Sequence, residues 1–508
     1  MDEGKRVESG ISGRTSDTIV SILKRLPSIW LDGHRARKLA SRLPPCLDNV
    51  PLPDADTIYS WIKGFCATPH RRPGTPEGHR GEQWVAERFR ELGFPDVHVD
   101  PVPITVWTAS KWSLSVEGKE MPSFFVVNTG FTGAGGVSAP LVYVGTGTAR
   151  DFKRVDVAGK IVVADIPFPK MPTGVLMKLI HACYTFSDPN HELHLRSTQY
   201  LNFVRQNFIG GSTAEDAPAN DVYWQSFKRG AVGICLILRD QPGNSNTHYG
   251  PYDGLMKPMP GLWIANEDGA QLKTLARSGN AARLTLEGSS EPGVMHNVWV
   301  VLPGRSDEVI LVTSHHDSPF QGAVEDGTGV AQVLAQCRAW SQVPLEQRPK
   351  TLVFVVDAGH FYGSLGGHTF ARQHKDIMAR TRILLTVEHL GGKEVAAVVG
   401  GGYAETGRLA LTVMFTTPDP LVLATVARAL EKKPARTTAS IPANFFGPAP
   451  ISDACGYVIE AGVPVISWIG CPYYLLDQYD TLDKVDTTAL VPIAETIAEM
   501  IKIQMAMK

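Results

Sequence analysis

The chain has 508 residues, 43% hydrophobic and 20% charged, a composition typical of a soluble globular protein with roughly two to four domains. Its 49 basic and 51 acidic residues leave a formal net charge of −2, which argues against nucleic acid or an anionic membrane as a partner. The N-terminal sequence has no secretory pattern and no run of about 18 apolar residues occurs, so we expect a cytoplasmic protein. The 7 cysteines form no CxxC pair and indicate reduced thiols.

The chain begins with a predicted helical arm. Residues 1–53 contain a polar start and then a basic, helix-like stretch that ends at Pro44 and Pro45. From residue 54, two amphipathic helices joined by a Pro/Gly-rich turn precede the alternating strand VHVDPVPITVW. Residues 54–125 are therefore predicted to form the first part of a larger domain.

The middle of the chain has a different sequence pattern. Residues 126–289 contain short β-rich runs separated by glycines at irregular spacing, which predicts an inserted β-rich module. A long segment, residues 167–224, interrupts this module. Segments of that length are usually functional when ordered, so a lid or substrate wall is one interpretation, and a helical pair that only packs is the other.

From residue 290 the pattern becomes regular α/β. Strand-like runs alternate with helical runs, which predicts a mixed, largely parallel sheet sandwiched by helices. The stretch VILVTSHHDSPFQGAVEDGTGV, residues 309–330, combines a short buried-strand pattern with a dense polar cluster and the start of a helix. Since α/β sheets place ligands at the carboxyl ends of their strands, this stretch is the candidate active site.

Histidine and carboxylate side chains on neighbouring loops are the donors that a divalent metal requires. His315 and Asp317 are two residues apart, so both side chains are expected on one face of the strand, with Asp317 orienting the His315 ring. By the same alternation, His316 and His389 are expected to point to the opposite side of their strands.

These motifs resemble the co-catalytic zinc aminopeptidase family that also includes the glutaminyl cyclases. The stretches that carry the resemblance occur in the family's order from Met295 onward: TSHHDS, GAVEDGTG, FVVDAGHFYGSLGG, VEHLGG, ISDACGYVIEAGVP and YYLLDQYDTLDKVD. The stretch RRPGTPEGHRGEQWVAERFRELGF is similar to the family's N-terminal helices. The resemblance implies a peptidase-like domain at residues 54–125 and 290–508, with a protease-associated-like insertion at residues 126–289.

The same resemblance implies an altered metal site. It places one ion at His315, Glu325 and Glu388, with glutamate where the family has aspartate at both carboxylate positions. The second site lacks its last histidine, because Leu476 stands there. His360 occupies the region of the family's glutamate pair, and a histidine there is able to transfer protons or to bind metal. Glu325 has an alternative role as a cap of the following helix.

Together these features predict a metal-dependent hydrolase of an amide-type bond in a peptide or small molecule. One divalent ion is expected, zinc first, with iron and manganese open. His360 and Asp317 are the predicted catalytic residues. The altered glutamate pair argues against an ordinary dinuclear aminopeptidase. Two alternatives stay open: a non-catalytic binding or scaffold protein of this fold, and a metalloenzyme that runs a different reaction on a specialised metabolite.

Overall fold

The computed structural model describes residues 15–44, 47, 49–168, 220–398 and 402–507, with residues 170–171, 174–175, 186–191, 193, 199–200, 213, 215 and 217 between them. Most of the long segment 167–224, for which a lid or substrate wall and a packing helical pair were the two interpretations, lies outside the described residues.

The helices begin and end as follows: Thr15–Ala40 (α1), Ala55–Phe65 (α2), Pro76–Glu91 (α3), Ala149–Phe152 (α4), Val222–Phe227 (α5), Asn266–Arg277 (α6), Gly329–Ser341 (α7), Leu365–Gln373 (α8), Lys375–Arg380 (α9), Pro420–Lys432 (α10), Ala454–Ala461 (α11) and Leu490–Ala506 (α12). Local chemistry sets several of these starts. Asp54 accepts a hydrogen bond from the Thr57 amide at 2.8 Å, and Thr75 caps α3, which begins at Pro76. None of the described helices is long and apolar enough to cross a membrane.

The strands are His98–Val116 (β1), Lys119–Met121 (β2), Phe124–Phe125 (β3), Val137–Tyr143 (β4), Ile161–Pro167 (β5), Lys170–Met171 (β6), Phe186–Ser187 (β7), Gln199–Tyr200 (β8), Gly233–Arg239 (β9), Gly261–Ile264 (β10), Ala281–Leu302 (β11), Val309–His315 (β12), Thr351–Asp357 (β13), Thr381–Glu388 (β14), Lys393–Ala397 (β15), Tyr403–Leu409 (β16), Thr412–Thr416 (β17), Thr438–Pro442 (β18) and Val465–Gly470 (β19).

A mixed, largely parallel sheet confirms the predicted fold class. Its order is β3-β10-β9-β5-β4-β11-β13-β12-β14-β19-β17-β18-β7, and β1 pairs with β11. Strands β13, β12, β14 and β19 are parallel neighbours at its centre. Their nearly continuous apolar sequences fit this position, because helices cover both faces of a central parallel strand.

The two faces of the central strands pack into separate cores. Ile310 and Val312 of β12 lie in the core beneath α7, α10 and α12, whereas Val309 and Leu311 lie in the core beneath α8 and α11. This alternation is the two-residue period of a strand. It fixes the strand register and therefore the direction in which His315 points at the end of β12.

The long strand β11 joins the main sheet to the strands of the predicted insertion. Its first residues pair with β4 and its last residues pair with β13. Strands β4, β5, β9 and β10 then pair in parallel. Hydrogen bonding is therefore continuous between the two regions, and the domain boundaries at residues 53, 125 and 289 stay predictions.

Candidate metal centre

Three parallel neighbours of the sheet end on ionisable side chains. Strands β13, β12 and β14 end at Asp357, His315 and Glu388, and His315 is the register partner of Asp357. All three side chains are buried. Polar groups from three strands therefore meet at the carboxyl edge of the sheet, where the candidate active site is predicted.

His315 lies at the centre of the cluster. Its Nε2 atom is 3.3 Å from His389 Nε2 and 3.4 Å from Glu325 Oε1. On the other side of the ring, Nδ1 is 3.1 Å from the Asp317 carbonyl oxygen and 3.5 Å from Asp317 Oδ1. These contacts fix the ring orientation and leave Nε2 facing the carboxylates.

Asp317 also organises the loop after β13. Its two carboxylate oxygens accept hydrogen bonds from the backbone amides of His360, at 3.2 Å, and Phe361, at 3.1 Å. Burial raises the pKa of Asp317, but the bond and the charge of His315 outweigh it and lower the pKa overall. Asp317 is therefore an ionised anchor that holds His315 and the His360 loop together.

His360 lies parallel to His315, with ring centroids 4.2 Å apart and an interplanar angle of 12°. Its Nδ1 is 2.9 Å from Asp453 Oδ1, and its Nε2 is 3.6 Å from Glu325 Oε1. The Ser364 hydroxyl donates to the same Asp453 oxygen at 2.7 Å. The carboxylate thus fixes one ring nitrogen and directs the other into the cluster.

The expectation for His389 was wrong. Its Nε2 lies 3.1 Å from Glu325 Oε2, and its Nδ1 lies 3.1 Å from the Gly470 carbonyl oxygen. Strand β14 ends at Glu388, and His389 has a left-handed φ of 57°. Strand alternation therefore no longer applies at His389, and its ring turns back into the cluster. His316 points away as expected, with Nε2 2.8 Å from the His296 carbonyl oxygen.

Glu325 faces the cluster and does not cap α7. Its neighbour Asp326 accepts the hydrogen bond from the Gly329 amide at 3.0 Å. The backbone amide of Glu325 donates to Asp480 at 2.8 Å, which holds the segment in place. Burial raises the pKa of Glu325, but the charge and the bond of His389 lead the effects that lower it to about 2.

Buried carboxylate oxygens that accept no hydrogen bond are the strongest sign that a cation fits here. Among the described residues, Glu325 Oε1, Glu388 Oε2 and Asp453 Oδ2 are buried and make no hydrogen bond. An uncompensated buried acceptor is costly, whereas a metal ion satisfies several at once. The donor set of imidazoles and carboxylates suits zinc, iron or manganese.

The side chains of the cluster that could bind a metal form two groups, and both groups contain His315. Within each group, the ligand atoms lie within 4.8 Å of one another. One contains His315, Glu325 and His389, and the other contains His315, His360, Glu388 and Asp453. Glu325 and Glu388, two members of the predicted triad, therefore fall in different groups.

The electrostatics show how strongly the cluster attracts positive charge. Burial lowers the pKa of His389, but Glu325 outweighs this effect and raises the pKa to about 10. Burial also lowers the pKa of His315, yet Asp453 and the bond to Asp317 raise it well above the ordinary value. Burial and the charge of Asp453 raise the pKa of Glu388 to about 8. Protons on these groups supply the charge that a divalent ion would supply in their place.

The position of the family's last histidine contributes no ligand. Leu476 is 4% exposed and packs in the apolar core with Tyr474 and Leu475. Asp480, four residues further along the chain, accepts hydrogen bonds from the Val324 and Glu325 amides and so holds the segment that carries Glu325. The sequence reasoning missed the contributions of His389, Asp453 and Asp480, although the quoted motifs VEHLGG, ISDACGYVIEAGVP and YYLLDQYDTLDKVD contain them.

A separate group of possible metal-binding side chains lies at the start of α3. His79 Nδ1 and His296 Nδ1 are 2.8 and 2.7 Å from the same oxygen, Glu82 Oε2. The other Glu82 oxygen accepts the His296 backbone amide at 3.1 Å. Hydrogen bonds thus account for both carboxylate oxygens, and we assign no ion to this group.

The sheet and the cluster at its edge define a protein of the zinc aminopeptidase fold class. Residues 297–501 match the sequence model of peptidase family M28, which confirms the recognition made from the motifs. No curated protein matches the chain.

Solved structures with the same fold include a zinc aminopeptidase from Bacillus subtilis, with a TM-score of 0.65 and 16% identity over 89% of this chain and 95% of that one. An aminopeptidase from Aneurinibacillus sp. strain AM-1 has a TM-score of 0.58 and 20% identity over 88% and 93%. A peptidase M28 precursor from Shewanella amazonensis SB2B has a TM-score of 0.64 and 19% identity over 96% and 98%. At these identities, the likeness establishes the fold.

Proposed function

We propose that the protein is a metal-dependent hydrolase of an amide-type bond, in a peptide or a small-molecule amide, with one divalent ion in the cluster around His315. The observation that carries the proposal is the set of buried oxygens on Glu325, Glu388 and Asp453 that accept no hydrogen bond and lie beside three imidazoles. The match of residues 297–501 to a peptidase family supports the reaction class.

His315 and Glu325 are the proposed ligands common to the sequence prediction and to one of the two geometric groups. Glu388 is the predicted third ligand, but it groups with His315, His360 and Asp453. His389 is the residue that shares the group of His315 and Glu325. We propose His389 for the third position in the arrangement described, and Glu388 as the alternative. Zinc is the first candidate, because the fold neighbours include a zinc aminopeptidase.

A divalent ion at such a site polarises a carbonyl group and makes bound water more acidic. His360 is the proposed acid/base group, because Asp453 holds its Nδ1 while its Nε2 faces the cluster. Asp317 is a positioning residue, since it holds both the His315 ring and the backbone amide of His360. Burial of the whole cluster limits access of water and strengthens each electrostatic contact.

The test combines metal analysis with turnover on a panel of peptides and small amides. The purified protein should contain close to one tightly bound divalent ion per chain, and a chelator should remove both the ion and the turnover together. His315→Ala should lose the ion, whereas the exposed control His34→Ala should keep it. Metal binding without turnover on any amide would favour the non-catalytic alternative. Two tightly held ions, or none after metal-replete purification, would contradict the single-ion site.

A further inference from the structure

A cavity of about 180 Å³ lies where the segment before α3 meets β1 and the loop around Tyr249. Aromatic rings form much of its wall, together with two basic side chains and one acidic side chain: Trp107, Phe125, Tyr249, His70, Arg72 and Glu77. A space of this size holds one side chain or terminal group, since a water molecule occupies about 30 Å³ in the liquid. The cavity thus has room for part of a ligand.

Arg72 is held in this cavity by one hydrogen bond and by aromatic faces. Its Nε donates to the Pro319 carbonyl oxygen at 3.0 Å. The guanidinium carbon lies 5.4 Å from the Phe125 ring centroid, 5.3 Å from that of Tyr249 and 5.8 Å from that of Phe320. These contacts position the head group without neutralising it.

The two terminal nitrogens of Arg72 make no hydrogen bond with any residue that the structure describes. These two nitrogens are not fully buried, so they are accessible from the cavity. The acid that lines the cavity, Glu77, forms an ion pair with the exposed Arg80 at 2.6 Å, which offsets its charge. Arg72 therefore presents a planar pair of charged donors to whatever enters the cavity.

The chemistry of such a group selects a carboxylate. Two parallel N–H donors match the two oxygens of a carboxylate, and the match is stronger in a partly desolvated pocket. Burial, and then the charge of Arg72, lower the pKa of His70 to about 4, so His70 is neutral near pH 7. Arg72 then supplies the positive charge of the cavity, and the aromatic walls suit an adjoining apolar group.

Aromatic side chains separate the cavity from the cluster around His315. Pro319 and Phe320 follow Asp317 closely in the chain. The Tyr249 ring lies 5.3 Å from the Phe361 ring, and Phe361 in turn lies 5.0 Å from His360 and 6.4 Å from His315. A ligand group at Arg72 would therefore be near an amide bond presented to the cluster.

We propose that this cavity is a substrate subsite in which Arg72 binds a carboxylate, so that the favoured substrates carry a carboxylate next to an apolar group and near the amide bond to be cleaved. The proposal rests on the proposed hydrolase function for its link to turnover. A C-terminal carboxylate of a short peptide and an acidic side chain share the required chemistry. The binding step itself does not depend on hydrolysis.

The first experiment measures turnover of matched short peptides with a free C-terminal carboxylate, a C-terminal amide, or an internal glutamate and a C-terminal amide. Loss of a charged hydrogen-bond pair is expected to reduce kcat/KM by about 10- to 100-fold, mainly through KM. Preference for the free terminus identifies one source, and preference for the internal glutamate identifies the other. Equal rates for all three in the wild type would overturn the proposal.

Variants then assign the preference to Arg72. Arg72→Gln should abolish it, Arg72→Lys should keep part of it, and the matched control Arg90→Gln, at an exposed position of α3, should keep it fully. Melting temperatures are measured alongside, because Arg72 also bonds to Pro319. If Arg72→Gln does not fold, the comparison rests on Arg72→Lys and on the wild-type panel. A carboxylate preference unchanged in every Arg72 variant would overturn the assignment.

A binding measurement separates the subsite from the hydrolase proposal. Calorimetry with an N-acetylated aromatic amino acid and its amide probes the cavity directly, and the acid should bind at least about 10-fold more tightly. Tight binding of the acid with no turnover on any amide would defeat the hydrolase function and leave the subsite intact. Turnover without any preference for the acid would leave the hydrolase and defeat the subsite.

Discussion

Replacement of His360 by alanine tests the predicted acid/base role most directly. The ring is 9% exposed, and its removal deletes the 2.9 Å contact with Asp453 and the second nitrogen that faces Glu325. A positioned acid/base group contributes about a hundred- to ten-thousand-fold in rate, which corresponds to about 3 to 5 kcal/mol of activation free energy. We therefore expect turnover to fall by that factor.

Folding should survive this change, because Asp453 keeps the 2.7 Å hydrogen bond from Ser364 and is not stranded. The loss of one charged hydrogen bond should lower the free energy of unfolding by about 1.5 to 3 kcal/mol. The assay is kcat with saturating substrate, measured together with metal content on the same preparation. The control His34→Ala should change neither.

Two rescue experiments distinguish the roles open to His360. If its role is proton transfer, His360→Ala should keep its ion, and added imidazole should restore part of the rate. If it is a ligand, the variant should lose metal, and excess metal should restore part of the rate. Normal turnover with normal metal content in His360→Ala would remove His360 from both roles and refute the reasoning.

The remaining predictions concern the third ligand, a buried arginine and acid stability. If His389 is the third ligand, His389→Ala should lower metal affinity by about 10-fold or more, and Glu388→Gln should bind metal nearly normally. Equilibrium metal titration measures both affinities. The reverse result would favour Glu388. Arg71 is fully buried and donates hydrogen bonds to the carbonyl oxygens of His316, Gln321 and Gly322. Arg71→Ala should therefore lower the free energy of unfolding, measured in urea, by about 2 to 4 kcal/mol. A decrease under about 0.5 kcal/mol would contradict this. His70 is held neutral by its pKa of about 4, so the unfolded chain takes up the proton first as pH falls below about 6.5. Between about pH 6.5 and 4, the free energy of unfolding of the wild type should fall by about 1 to 2 kcal/mol more than that of His70→Gln. This value is reduced for the solvent exposure of the ring. Parallel curves of stability against pH would refute this.

The sequence determined the sheet and the edge that carries the site. Continuous apolar runs at β12, β13 and β14 were interpretable as buried parallel strands, because a strand covered on both faces has no polar side. His315 and Asp317 were assigned together by the two-residue period, and their contact is observed at 3.5 Å. Leu476 indicated that the family's last histidine was absent, since residue identity alone decides that point.

Only the tertiary structure decided which further side chains join the cluster. His389 enters through a left-handed φ directly after the end of β14, and a single backbone torsion of this kind is not encoded by hydrophobic periodicity. Asp453 reaches His360 across 93 residues of sequence, and Arg72 reaches Pro319 across 247. The sequence supplies the donors and acceptors, but the packing of distant segments determines which of them make no hydrogen bond. Those atoms are the basis for the proposed metal centre and the proposed carboxylate subsite.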